Sequence, residues 1–160
     1  MGGVHMNAYE QLQDYACNNG VDVIDYHFQN DSIKGLYCDG TAAIRKNIDT
    51  VTEKACILAE ELGHHHTSSG NILDQTDTNN RKQELRARMW AYNELIGLRG
   101  ITKAYEHGCS SMFDMAEYLE VTEEYLKEAL NAYRNKYGIC ADIDNYTICF
   151  IPYLAVFKKV

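Results

Sequence analysis

No apolar run in the 160-residue sequence comes near the roughly 20 residues that a membrane-spanning helix needs. No basic start followed by an apolar segment opens the chain, so no secretion signal is predicted. The six cysteines form no C-x-x-C pair and no disulfide-like spacing, which favours free thiols in a reducing compartment. We therefore expect a cytoplasmic protein without a membrane segment.

Basic residues are also scarce: 15 Lys and Arg stand against 23 Asp and Glu, for a net charge of −8. Because nucleic-acid affinity rests on basic patches, we expect no direct nucleic-acid partner. The hydrophobic content of 46% indicates a globular chain, long enough for one domain with a core. We expect residues 1–5 to precede a natural start at Met6, and we leave them out of the fold prediction.

The first half of the chain predicts a helix followed by three strands, which indicates an α+β fold. Helical spacing ends at an Asn-Asn-Gly stop, and the strands are separated by short turns. We expect a small antiparallel sheet whose last strand leads into a further helix. The predicted ranges are 7–17 for the helix and 21–28, 33–39 and 41–47 for the strands.

The next helix carries the sequence E-E-L-G-H. Thr50 and Glu53 have the spacing of a capping box at its start. Glu60 and His64 are four positions apart, so both project from one helix face and can bind one metal ion. In H-E-x-x-H the outer residues bind zinc and the inner Glu is the general base, so Glu61 takes that position here. The simpler alternative is a chance match on an acidic helix.

A third ligand is predicted on the following helix, from about residue 80 to 95, beyond a polar connection at 68–80. Glu84 begins a stripe that continues with Ala87, Ala91 and Leu95. Small alanines would let this helix approach the motif helix, and Gly63, which is unfavourable inside a helix, suggests close packing there. An ordinary solvated Glu84 is the alternative.

The sequence after Gly100 predicts three helices and then a terminal strand near 146–151. The predicted helices are 101–107, 112–119 and 123–137. Ser110 or Ser111 caps the second helix, and Thr122 caps the third. Residues 114–122 resemble a helix-turn-helix (HTH). Glu123, Glu124 and Glu128 would repel phosphate, so we interpret this unit as one that packs against or docks protein.

The motif residues and the later Glu84-x-x-Ala87-x-x-Trp90-Ala91 resemble the ImmA/IrrE family of metallo-endopeptidases, whose pattern is H-E-x-G-H followed by E-x-x-A-x-x-F-A. The resemblance implies a zincin-like core at 6–98, followed by an HTH-like helical segment at 99–160 with a terminal strand, packed as one unit. It implies Glu60, His64 and Glu84 as zinc ligands and Glu61 as catalytic base. It also implies cytoplasmic cleavage of an HTH repressor encoded nearby on a prophage or integrative element.

One position departs from the family pattern, because Glu60 replaces the first histidine. Two carboxylates and a neutral imidazole cancel the charge of a divalent ion, whereas two histidines and one Glu leave one positive charge. We therefore expect weaker activation of water and a shift in preference from zinc towards harder ions such as manganese. The alternative function is a catalytically weak or inactive protein that binds a partner regulator.

Overall fold

The computed structural model describes residues 5–67 and 77–160, which contain six helices and six strands. Two compact units are present, Met1–Ala91 and Tyr92–Val160. In chain order the elements are α1 (Ala8–Asn18), β1 (Asp22–Tyr26), β2 (Gly35–Cys38), β3 (Thr41–Arg45), α2 (Val51–Thr67), α3 (Asp77–Leu95), α4 (Gly97–Glu106), α5 (Met112–Leu119), α6 (Glu123–Tyr137), β4 (Cys140–Ile143), β5 (Tyr146–Cys149) and β6 (Ala155–Lys158).

The sheet of the first unit has the strand order β1-β3-β2. Strand β2 pairs with β3 antiparallel, across a tight turn at Asp39-Gly40, as the sequence predicts. Strand β1 pairs with β3 parallel, so the expectation of a wholly antiparallel sheet was wrong. Residues 27–34 carry the chain from β1 across β3 to the far edge, and β3 returns between the other two strands. This leaves β2 as an edge strand.

Helix α2 begins as the sequence predicts, because the Thr50 hydroxyl accepts a hydrogen bond from the backbone N–H of Glu53 at 3.1 Å. The Glu53 carboxylate pairs with Lys34 Nζ at 2.6 Å, rather than completing the expected capping box. The predicted apolar stripe of α2 is buried in the core of the first unit, each side chain at most 1% exposed: Ala55, Leu58, Ala59 and Leu62.

Helices α2 and α3 meet at a glycine–alanine contact. A Cβ added to Gly63 would lie 2.2 Å from the carbonyl oxygen of Ala87, a distance that no real side chain tolerates. Ala87 and Ala91 are 0% and 1% exposed. The predicted close approach of the two helices is therefore confirmed. Of the predicted polar connection, residues 68–76 lie outside the described part of the chain, and α3 begins at Asp77.

The second unit joins three helices to a second sheet. Ser111 and Thr122 cap α5 and α6 as predicted, and Gly138 ends α6 with a φ of 80°. Helix α4 begins at Gly97, four residues before the predicted start. The end of the chain forms the three-stranded antiparallel sheet β4-β5-β6, where the sequence predicts a single terminal strand. Resemblance of α5 and α6 to a helix-turn-helix stays a prediction.

The division between the two compact units falls within α3, between Ala91 and Tyr92, and the domains predicted at 6–98 and 99–160 stay a prediction. Each unit has its own buried core, with Leu58, Leu62 and Ile44 in the first and Ile101, Leu126, Tyr133 and Ile148 in the second. Among the described residues, no helix has the length and hydropathy required to cross a membrane.

Candidate metal centre

The first unit brings together three side chains that carry metal-binding atoms. Glu60 and His64 lie one turn apart on α2, and Glu84 reaches them from α3 across the Gly63–Ala87 contact. One ligand atom from each residue lies within 4.8 Å of the other two, and all three residues are partly exposed. This juxtaposition is the one that the helical spacing and the alanine stripe predict.

The donor set suits a divalent cation. His64 Nε2 lies 3.3 Å from Glu84 Oε2, close to the separation of about 3.3 Å that two ligands have around a tetrahedral ion with bonds of about 2.0–2.1 Å. An imidazole nitrogen with two carboxylate oxygens fits zinc and also harder ions such as manganese. Three protein ligands leave further coordination positions open, as in catalytic rather than structural sites.

Arg88 adds a positive charge to this cluster. Its Nε lies 3.3 Å from Glu84 Oε1, one turn back on α3, and 3.6 Å from Glu60 Oε1 on α2. Glu84 therefore presents one oxygen to His64 and the other to Arg88. Sequence reasoning missed Arg88. The Glu-to-Arg spacing of four residues was the available signal, but it is common on exposed helices.

Glu61 lies beside the cluster and is 8% exposed. Burial, together with the negative charges of Glu60 and Glu84, raises the pKa of Glu61 to about 8, and a hydrogen bond from the backbone N–H of Tyr37 partly opposes this shift. The buried position holds the carboxylate in place and makes it a stronger proton acceptor than an ordinary glutamate. A carboxylate whose pKa lies near neutrality suits general acid–base chemistry.

Strand β2 also contacts the Glu61 side chain. Arg45 N–H donates to the Lys34 carbonyl, so these two residues form a hydrogen-bonded pair of the β2–β3 ladder. Because such pairs alternate along antiparallel strands, the backbone N–H and C=O groups of Gly35 and Tyr37 face away from β3. The outward N–H of Tyr37 is the one that donates to Glu61. A Cβ on Gly35 would lie 2.6 Å from Ile57 Cγ2 and 2.9 Å from Glu61 Oε1, so only glycine allows the strand to pass this close to α2. Sequence reasoning placed Gly35 and Tyr37 on a strand without assigning them this role.

The two histidines after His64 have partners outside the cluster. His65 Nδ1 lies 2.7 Å from the Tyr37 hydroxyl. His66 Nε2 lies 2.9 Å from the Tyr15 hydroxyl, and the imidazole stacks on Trp90. Both are therefore packing residues around the end of α2. The three remaining histidines, for which no role is predicted, are exposed: His5, His27 and His107.

A separate cavity of about 590 Å³ lies within the second unit. Apolar side chains dominate its lining, with Lys127 and Arg134 at the α6 side. None of the four candidate site residues lines it, so it offers no alternative location for the metal chemistry.

Comparison with known proteins agrees with this geometry. The family model of the IrrE N-terminal-like domain, within the M78 peptidases, matches residues 19–131. This match spans β1 to most of α6 and includes all four candidate site residues. No curated protein and no solved structure matches the chain. The family model matches more than two thirds of the sequence, and two carboxylates and an imidazole converge beside a buried glutamate. The chain therefore belongs to the ImmA/IrrE family of metallopeptidases.

Proposed function

We propose that the protein is a metal-dependent endopeptidase in which Glu60, His64 and Glu84 bind the ion and Glu61 is the catalytic base. The observation that carries this proposal is the position of Glu61, buried and held by Tyr37 beside three convergent ligand atoms. We further propose that the substrate is an HTH repressor encoded nearby, that cleavage relieves repression of a mobile genetic element, and that the protein acts in the cytoplasm.

The chemistry divides between the ion and the chain. A divalent ion held here supplies a Lewis acid for the scissile carbonyl and a positive charge that favours ionised Glu61. Glu61 then accepts a proton from the attacking water and delivers it to the leaving amine. The Tyr37 N–H keeps the Glu61 carboxylate in place through both transfers.

The edge of β2 offers a place for the substrate. The outward N–H and C=O groups of Gly35 lie next to Glu61, on the free edge of the sheet in the described part of the chain. An extended peptide pairing with these groups would place its backbone over the cluster. Leu36, 52% exposed, alternates with Gly35 and lies outside the core. We propose that an extended segment of the repressor binds along this edge.

A second candidate function is supported by the contacts of Arg88. Its guanidinium lies near one oxygen of each carboxylate ligand, so it competes with an ion for them. Together with Glu60 in the place of histidine, this favours a protein with weak or no catalysis that acts by binding its partner regulator. Such a protein would form the same complex with the repressor without cleaving it.

Glu61→Gln tests the catalytic proposal. We expect this variant to cleave the co-encoded repressor at least about 100-fold more slowly than wild type, because removal of a general base costs roughly 10²–10⁴-fold. Metal content, measured by elemental analysis after loading with Zn²⁺ or Mn²⁺, should be unchanged. Glu53→Gln, an equal change in the first turn of the same helix, is the matched control and should cleave normally.

Each outcome distinguishes the two candidate functions. Wild-type cleavage that survives Glu61→Gln would show that the base is another group. A wild-type protein that captures the repressor in a pull-down but leaves it intact with either ion favours the binding function. Loss of cleavage in both variants would indicate damage to α2 rather than loss of a base.

A further inference from the structure

Arg88 is the single positively charged side chain that the described contacts place against the ligand carboxylates. It lies near Oε1 of both Glu60 and Glu84, while the other oxygen of Glu84 faces His64. The guanidinium thus borders the cluster at its two carboxylate ligands. Its own side chain is 51% exposed, and the two carboxylates are 35% and 40% exposed.

The charge count gives Arg88 a role at a position that the family pattern leaves unspecified. Two carboxylates and a neutral imidazole carry −2, whereas two histidines and one Glu would carry −1. Arg88 brings the set back to −1, so a bound divalent ion leaves the net charge of +1 that a His-His-Glu site has. We propose that Arg88 compensates the charge that Glu60 introduces. This proposal rests on the proposed metal-binding function.

Charge compensation by Arg88 predicts that this residue raises the stability of the metal-free protein and lowers its affinity for metal. In metal-free protein, Arg88 relieves the mutual repulsion of the carboxylates and stabilises the cluster. When an ion binds, the same cation repels it and competes for its ligands, so Arg88 lowers metal affinity. A residue that merely held the ligands in place would have the reverse effect on affinity, because its loss would weaken binding.

The test compares Arg88→Gln with Arg86→Gln, which removes an equal charge two residues away, on a different face of α3. Metal affinity is measured by competition with a chromophoric chelator for Zn²⁺ and for Mn²⁺, and the melting temperature is measured in EDTA. We expect Arg88→Gln to bind metal about tenfold more tightly, as one charge roughly 6 Å from a dication in largely aqueous surroundings implies. Its metal-free melting temperature should fall. Arg86→Gln should resemble wild type.

The salt dependence and the metal affinity of the wild-type protein distinguish failure of the Arg88 proposal from failure of the proposed metal-binding function. The affinity ratio should shrink at 0.5 M salt (about 4 Å screening length), because the interaction is electrostatic and partly exposed. Unchanged or weaker binding by Arg88→Gln would overturn the proposal while leaving the metal site intact. Wild-type protein that binds neither ion would overturn the proposed function and the compensation together.

A second, independent inference concerns two cysteines of the β4–β5 hairpin. Cys140 and Cys149 are directly opposed in the antiparallel register. The neighbouring pair is hydrogen-bonded, with Phe150 N–H donating to the Ile139 carbonyl at 2.8 Å, so alternation makes Cys140 and Cys149 a non-hydrogen-bonded pair. Such pairs have a Cα separation of about 4.5 Å, within the range of disulfides. The two thiols are already in side-chain contact.

We infer that Cys140 and Cys149 form a reversible intramolecular disulfide when a two-electron oxidant such as hydrogen peroxide is present. Each thiol loses its proton, the pair gives up two electrons to form the S–S bond, and the peroxide is reduced to two water molecules. Cys140 is exposed, so the oxidant can reach it. Contact with Cys149 raises the pKa of Cys140, so oxidation should be faster at pH 8.5 than at pH 7 because the thiolate reacts.

Peptide mapping tests this inference. Reduced protein is treated with hydrogen peroxide at pH 8.5 and low protein concentration, alkylated, and digested without reductant. We expect a linked species joining Cys140 to Cys149, lighter by two hydrogen atoms and lost on reduction. Cys109→Ser, the control, should retain the link, and Cys140→Ser should lose it. Absence of the link in wild type, or an equal yield of links through Cys17 or Cys38, would overturn the inference.

Discussion

Substitution of Gly63 by alanine tests how the approach of α2 to α3 builds the metal centre. The added Cβ would lie 2.2 Å from the Ala87 carbonyl oxygen and 2.9 Å from its carbon, while ordinary contact begins at 3.4 Å. The neighbour is backbone, so it cannot rotate away. Helix α3 must therefore withdraw by about 1 Å at this point, or α2 must deform.

The size of the effect follows from two opposing contributions. Alanine is favoured over glycine inside a helix by about 1 kcal/mol. Overpacking against a rigid neighbour costs about 1–3 kcal/mol, and more where both helices shift. We expect net destabilisation of about 1–2 kcal/mol, or a fall in melting temperature of roughly 2–8 °C. Glu84 moves with α3, and metal–ligand bonds tolerate only about 0.2 Å, so metal affinity should fall at least about tenfold.

Gly100→Ala is the matched control. Gly100 lies inside α4, where an added Cβ would meet the end of the Leu119 side chain at 3.2 Å, a neighbour that can move. This variant should be as stable as wild type or slightly more stable, with unchanged metal affinity. Thermal unfolding in EDTA and chelator competition measure both variants. A Gly63→Ala protein with wild-type stability and affinity would refute the argument that this contact sets the position of Glu84.

Three further predictions concern the base, the edge strand and a helix cap. Folding of the metal-free protein raises the pKa of Glu61 from 4.5 to about 8. Protonated Glu61 therefore contributes to the stability of the folded state fully below pH 4.5, and this contribution is lost as the pH rises through 8. The free energy of unfolding of Glu61→Gln should therefore rise relative to that of wild type over this window, by about 3 kcal/mol at pH 7. Denaturant unfolding in EDTA would measure this, and a pH-independent difference would contradict it. In Gly35→Ala the added methyl group should clash with Ile57 and Glu61 and displace the Glu61 carboxylate. Repressor cleavage should fall at least about tenfold while metal content stays normal; unchanged cleavage would contradict this role. Thr122→Ala removes the acceptor of the Tyr125 N–H, and should lower the free energy of unfolding by about 1 kcal/mol without affecting metal binding.

The local elements of the fold follow from sequence because their causes are local. Thr50, Ser111 and Thr122 each accept a backbone N–H three residues ahead, and Gly138 adopts a positive φ where α6 ends. These interactions involve neighbours along the chain, so spacing alone identifies them. The start of α4 was missed because glycines at 97 and 100 suggest a break. Gly97 has a positive φ of 64°, and its N–H donates to the Tyr133 hydroxyl at 3.1 Å, a contact far away along the chain.

Strand pairing was harder to predict from the sequence than the local elements. The alternation in 21–47 identifies three strands, but it does not specify which pair of strands is adjacent or in which direction. The parallel pairing of β1 with β3 depends on the route of residues 27–34, which is non-local. The same reason explains why the second sheet was predicted as one strand, since β4 and β6 are short and recognisable mainly through their partner β5.

At the candidate site, the sequence by itself determined that Glu60 and His64 share a helix face and that small residues at 63, 87 and 91 permit a close neighbour. Periodicity fixes these relations because a helix repeats every 3.6 residues. The sequence predicted Glu84 as the third ligand and left a solvated Glu84 as the alternative, and the tertiary structure placed it at the cluster. Only the tertiary structure decided that Tyr37 and Gly35 confine Glu61 and that Arg88 borders both carboxylates. Those contacts join elements far apart in the chain, and their geometry depends on how whole helices and strands pack.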